Sequence, residues 1–213
     1  MAPDAGTALL ALLAYQNLRV AQSLLQREAG ATDLGDLLPV ARIAADALVR
    51  FTQACDAIPG GQTAAQTAMV PIISPVDEFW SMTRPRKLGE QRLRVMLMAN
   101  LELELVQRVT AHVPEMAGEA IEPSASSWRA IDLGSQAAVS AIKDADRPDE
   151  MSLYARRLLG ESAVMCQRLV VRQPALRVAL TGDSDDGLDA STAVLDEVLA
   201  AVAARVGRLG LSV

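Results

Sequence analysis

Residues 87–113 read KLGEQRLRVMLMANLELELVQRVTAHV, and this stretch decides the fold class. Leu, Val, Met and Ala recur on nearly every side of a helical projection, which describes a helix from about Lys87 to Val113 buried on most of its circumference. Such a helix needs neighbours all around it. Asn100, Glu104 and Arg108, spaced by four, make one polar column along it. Pro114 closes the helix, since proline has no amide hydrogen and blocks the preceding turn.

Outward from this segment the same 3.6-residue period recurs. Helix one runs from Asp4 or Thr7 to Glu28 and stops at Gly30. Its apolar positions Leu10, Leu13, Val20 and Leu24 lie opposite Arg19, Gln22, Ser23 and Gln26. Helix two, Asp36 to Ile58, has a core stripe of Leu37, Val40, Ala44, Ala47, Phe51 and Ala54, and Pro59-Gly60-Gly61 ends it. A long connection follows over Gln62 to Arg86, broken by Pro71, Pro75 and Pro85, with one short helix near Val76 to Met82. The 87–113 segment is helix three. Helix four starts at the capping hydroxyls of Ser124 to Ser127 and reaches Lys143. Helix five begins after Pro148, with Asp149 and Glu150 in its first turn, and extends to Arg172, where Pro174 stops it. Helix six runs from Leu188 to Arg208 and carries Leu195, Val198, Val202, Val206 and Leu209 at helical spacing.

Composition agrees with this reading. Of 213 residues 51% are apolar and only 3% aromatic, so the core is built from Ala, Leu and Val, and β-branched runs bounded by turn residues are scarce. The fold class expected is all-α: one domain over residues 1–213, a helical bundle with a long crossover between helices two and three and two additional C-terminal helices. That is a ferritin-like outline.

Several function classes lack their residues. Net charge is −6, which argues against a nucleic-acid partner. The densest basic group, Arg84, Arg86, Lys87, Arg92 and Arg94, reads as a solvated helix start rather than a phosphate site. Cys55 and Cys166 have no C-x-x-C or histidine partner, which fits a reduced, cytoplasmic setting. The apolar run Ala8 to Ala14 follows Asp4 without Lys or Arg, unlike a secretory leader, and no run is long enough for a membrane span. Asp183, Asp185 and Asp186 suit the start of helix six, but their loop lacks the length and terminal glutamate of an EF-hand. His112 is the one histidine in the chain, so a serine or cysteine nucleophile has no other imidazole base, and no E-x-x-H pair exists. G-x-S-x-G, P-loop and dinucleotide fingerprints are also missing.

Residues 13–18 (LAYQNL), 42–47 (RIAADA) and 154–161 (YARRLLGE) resemble the tRNA-hydroxylase-like (tRNA 2-methylthio-isopentenyladenosine hydroxylase-like) branch of the ferritin-like superfamily. The resemblance implies a ligand glutamate on helix one, an E-x-x-H pair on helix two, an acidic ligand on helix three and a second E-x-x-H pair on helix four. Carried over by flanking residues, these positions fall on Asn17, on Ala47 and Arg50, on Asn100 or Glu104, and on Asp132 and Ser135. Both histidines are gone and at most two carboxylates remain. The resemblance thus implies the fold without the di-iron reaction, with no metal and no cofactor.

Two readings of the vestigial centre stay open. Arg50 either replaces the metal charge, pairing with Asp132, Glu104 or both while Asn17 supplies a hydrogen bond, or it extends its head outward along an apolar stem. The Asn100–Glu104–Arg108 column either lines that centre or faces solvent. The expected function is a non-catalytic scaffold or interaction protein, a homo-oligomer (dimer) or the partner of an intact paralogue. The alternatives are a small-molecule module using the old cavity, with Phe79 and Trp80 as a lid, and a hydroxylase with an altered carboxylate set from Asp132, Glu104 and Glu102.

Overall fold

A computed structural model describes residues 4–27, 34–112, 125–143, 148–182 and 187–213, and among these the chain is helix and turn without strand. The helices described are α1 (Ala5–Arg27), α2 (Leu34–Ala57), α3 (Gly61–Met82), α4 (Leu88–His112), α5 (Ala125–Lys143), α6 (Pro148–Arg172), α7 (Pro174–Thr181) and α8 (Leu188–Gly207). Gly30, Pro114, Ser124, Asp183, Asp185 and Asp186, expected above as stops and caps, lie outside the described residues. None of the described helices is long and apolar enough to cross a membrane.

Every residue from Leu93 to Leu101 is buried, which is the burial that the all-round apolarity of this segment demands. α4 separates two cores. On one side α1, α2 and α5 close a four-helix ring with it, around Leu24, Val40, Ile43, Ala44, Val95, Ala99, Ala130 and Leu133. On the other side Leu97, Leu101, Leu105 and Val109 join a larger cluster with Ile72, Phe79, Leu158, Leu169, Val198 and Val202 from α3, α6 and α8.

The expected long connection between the second and third sequence helices is itself a helix, and this corrects the reading. α3 spans 22 residues with Pro71 and Pro75 inside it. Each proline deletes one backbone hydrogen bond, yet Ala65, Ala68, Met69, Ile72, Val76, Phe79 and Trp80 form a continuous buried stripe against α1 and α6. Burial of that stripe outweighs two missing hydrogen bonds, since a buried large apolar side chain contributes roughly 1.5–3 kcal/mol. The crossover survives as topology, because α3 carries the chain from the α1–α2 pair to the α4–α5 pair. Gly60 and Gly61 make the reversal before it at φ 98° and 71°, where a side chain would be strained.

α7 was not expected. Pro174 was read only as a stop for the preceding helix, but it also occupies the first position of this one, where its fixed φ suits a helix start. Gly182, at φ 75°, ends it and donates its amide to Val178 O at 2.8 Å. α7 wedges between α1, α4 and α8.

α5 lies close against α4 because residue 134 is glycine. A Cβ there would stand 2.6 Å from Arg92 O and closer still to Met96 Cβ, and the carbonyl belongs to a helix that cannot yield. Gly134→Ala is expected to destabilise the fold by about 1–3 kcal/mol despite alanine's better helix propensity, as overpacking does. Chemical denaturation of the purified variant checks the sign.

Candidate functional site

Inside the four-helix ring, α2 carries Val40, Ile43, Ala44 and Ala47 at helical spacing on its buried face, and Arg50 continues that column. The guanidinium therefore points inward. Its Nη2 donates to Glu102 Oε1 at 2.9 Å, with 5% of the Arg50 side chain and 13% of the Glu102 side chain exposed. Asn17 Nδ2 donates to Leu13 O at 2.8 Å and to Glu102 Oε2 at 3.3 Å, so both carboxylate oxygens have a donor. Beside this group lies a crevice of about 20 Å³ lined by Asn17, Ala47, Val95, Ala99, Glu102 and Ser127 among others. Burial pushes the Glu102 carboxyl above its ordinary 4.5, while the Arg50 charge and the hydrogen bonds from Arg50 and Asn17 pull it back down.

Asn17, Ala47 and Arg50 are thus brought together, and Arg50 turns inward as the internal-pair reading holds. Its partner is different. Asp132 is exposed on α5, away from the ring centre. Ser135 donates to Ile131 O at 2.7 Å and touches Met96 Sδ at 3.5 Å, a contact with α4 only. Asn100 and Glu104 are buried but face α8: Arg205 Nη1 donates to Asn100 Oδ1 at 2.9 Å, and Arg205 pairs with Glu104. Arg108 extends the same column to Glu197 at 2.6 Å. Asn100 and Glu104 thus face neither bulk solvent nor the ring centre, while the Arg108–Glu197 end of the column is exposed.

The physical reason is angular. Two residues advance a helix by about 200°, so Glu102 and Glu104 leave α4 on opposite faces. Glu102 shares the Val95–Ala99 face, at spacings of seven and three, and that face enters the smaller core. This spacing was the available signal for Glu102.

Arg94, grouped above with solvated basic residues, is buried. Its guanidinium stacks 4.3 Å from the Trp80 ring centroid and donates to Trp80 O and Thr83 O at 3.2 Å each. Phe79 and Trp80 are themselves buried and meet edge to face at 5.9 Å, which is core packing. His112 is exposed at the end of α4, with Nδ1 2.9 Å from Arg108 O.

A crossover four-helix ring with further helices on one side is the arrangement of ferritin-like proteins. Residues 4–183 match the family described as ferritin-like domains of actinomycetes. The chain belongs to this ferritin-like family. No curated protein matches it.

A di-iron group, the cofactor most associated with such bundles, does not fit the side chains of this ferritin-like protein. Such a group needs four carboxylates and two imidazoles converging from the ring helices. This centre offers one carboxylate, one amide and a guanidinium, and the cation already holds the carboxylate. Among the described residues no three His, Cys, Asp or Glu side chains come close enough to hold a metal ion.

Removing either member of the pair strands a charge or a carboxyl group inside the bundle. Arg50→Met or Glu102→Leu alone is expected to cost about 3–5 kcal/mol, and the double variant much less than the sum. Urea unfolding of all four proteins in a double-mutant cycle measures this coupling.

The pH dependence has a definite sign. Because the folded Glu102 carboxyl titrates above 4.5, the native chain holds a proton that the unfolded chain has released in the window just above that value. Its contribution to stability therefore falls as pH rises through the window. The stability difference between wild type and Glu102→Gln is expected to shrink from pH 5 to pH 7, as read from unfolding curves at the two values.

Proposed function

We propose that this chain is a non-catalytic ferritin-like protein of tRNA-hydroxylase-like ancestry, in which an internal ion pair has taken the place of a metal centre and which serves as a scaffold or interaction protein. The observation that carries the reading is the Arg50–Glu102 pair with Asn17: Arg50 and Asn17 stand where the resemblance sets ligand positions, and Glu102 of α4 meets them there. Taking metal ions away from inward carboxylates leaves uncompensated negative charge in a low-dielectric core. A guanidinium supplies fixed positive charge and directed donors at that place.

The outer face of α2 supports an interaction role. Leu38, Ala41, Ala45, Leu48 and Val49 follow one another at helical spacing and are all exposed, Leu38 by 57% and Val49 by 54%. A solvated helix face ordinarily carries charge at such positions. An isologous contact between two copies through this stripe makes the homodimer the favoured form, with an intact paralogue as the other candidate partner. Cys55 and Cys166 are both free thiols, which supports a reducing, cytoplasmic setting.

A small-molecule module built on the old centre has less support, since a crevice of about 20 Å³ has room for no more than about one water. A hydroxylase with an altered carboxylate set would need Glu102, Glu104 and Asp132 to converge, and they diverge.

Purified protein is expected to contain substoichiometric iron and to show no change in melting temperature on anaerobic addition of Fe(II). Stoichiometric iron by elemental analysis would falsify the non-metal reading. By light scattering the wild type is expected to be a dimer and Val49→Glu a monomer. A wild type that is monomeric and ignores an intact relative would remove the interaction role.

A further inference from the structure

The polar side of α1 is only partly open to solvent. Arg19, Ser23 and their neighbours look across a cleft of about 290 Å³ at Trp80 and Arg84 and at Gln91 and Arg94 of α4. The cleft is remote from the Arg50–Glu102 pair, because Arg94 and Glu102 are eight residues apart, about 12 Å along α4. Among the described residues its lining includes three guanidiniums and no carboxylate. In a chain of net charge −6 such a concentration of positive charge is local, and it selects for an anion.

Two of the three arginines are held in place. Arg94, 5% exposed, is fixed by the Trp80 ring, by the carbonyls at the end of α3 and by a 2.7 Å bond from Nη2 to Ser23 Oγ. Arg19 is oriented by Asp77 at 3.2 Å and by Gln22 Oε1 at 3.0 Å, and Asp77 in turn accepts from Tyr15 at 2.7 Å. Arg84 differs: it is exposed at the mouth and makes no ion pair among the described residues.

Gln91 is the second, independent sign of a ligand. It is fully buried and lines the cleft, its Nε2 donates to Ser23 O at 2.7 Å, and its Oε1 has no hydrogen-bond partner. Reversing the amide would set oxygen against the Ser23 carbonyl oxygen, so the unsatisfied atom is an acceptor. A buried acceptor without a donor costs about 1–3 kcal/mol, a cost that a ligand hydroxyl or amine in the cleft would remove.

We propose that this cleft binds a small phosphate ester: the phosphate oxygens are taken by Arg84 and Arg19, and a hydroxyl or amine of the same molecule donates to Gln91 Oε1. Guanidinium forks match phosphate oxygens, and more than one positive charge favours a dianion over a monocarboxylate. The cleft is too small for a duplex or an extended strand, and the chain's acidity disfavours a polyanion. The site stands independently of the scaffold reading, so failure of one leaves the other in place.

Trp80 provides the readout. The chain has two tryptophans, and Trp128 is 53% exposed, so Trp128→Phe leaves Trp80 as the sole indole without disturbing the core. In that background, titration with inorganic phosphate and with pyrophosphate at constant ionic strength is expected to give a saturable change in Trp80 emission. Glycerol 3-phosphate, which adds hydroxyl donors, is expected to bind more tightly than inorganic phosphate. Arg84→Gln, a surface change that leaves the fold intact, is expected to weaken binding roughly tenfold or more, the usual worth of a charge-assisted hydrogen bond. Arg19→Gln should act in the same direction, with thermal melts confirming that both variants are folded. The absence of a saturable response, an affinity unchanged in Arg84→Gln, or equal binding of succinate would each overturn the proposal.

Discussion

α4 is enclosed by other helices on both of its faces, and most of the polar side chains it carries inward find a partner on one of them. Glu102 reaches α2 and α1, Asn100 and Glu104 reach α8, and Arg94 reaches the end of α3 and Ser23 of α1. Each of these pairs pins a neighbouring helix in rotation and in height, because a shift of one residue would turn the partner away by about 100°. Apolar packing alone tolerates such slips more readily than directed hydrogen bonds do. The register of the whole bundle is therefore written in a few polar contacts along one buried helix.

The same requirement applies at the bundle centre. Carboxylates inside a low-dielectric core need compensating charge, and metal ions or a guanidinium can each supply it. Arg50 supplies it here from within the chain, and Asn17 fills the remaining acceptor position. A guanidinium–carboxylate pair of this kind is itself redox-inert. A buried ion pair is a modest source of net stability, so its value lies in specifying which faces meet.

Polar residues on the second side of α1 serve a different end. Arg19 and Ser23 of α1 are spaced as a solvated face would be, yet the end of α3 and Gln91 and Arg94 of α4 wall in a cationic cleft beside them. The enclosure depends on α3 being a continuous helix through Pro71 and Pro75, which local propensity disfavours and tertiary burial enforces.

Much of the architecture was legible in residue order. The period of the apolar residues marked α1, α2, α4, α5, α6 and α8, and the all-round apolarity of residues 93–101 put α4 in the middle. Arg50's direction stayed open between an inward and an outward reading, although its place on the Val40–Ala47 column was there to be read. What residue order left undecided were matters of angle and of competing costs. Glu102 and Glu104 are two positions apart and equally acidic, and only the placing of α2 and α8 around α4 assigns one to Arg50 and the other to Arg205. Two prolines argued locally for a loop, and only the surface offered by α1 and α6 made a helix the lower free energy. Periodicity, in short, is a property of each segment alone, whereas partner choice and the fate of a proline depend on what the rest of the chain brings alongside.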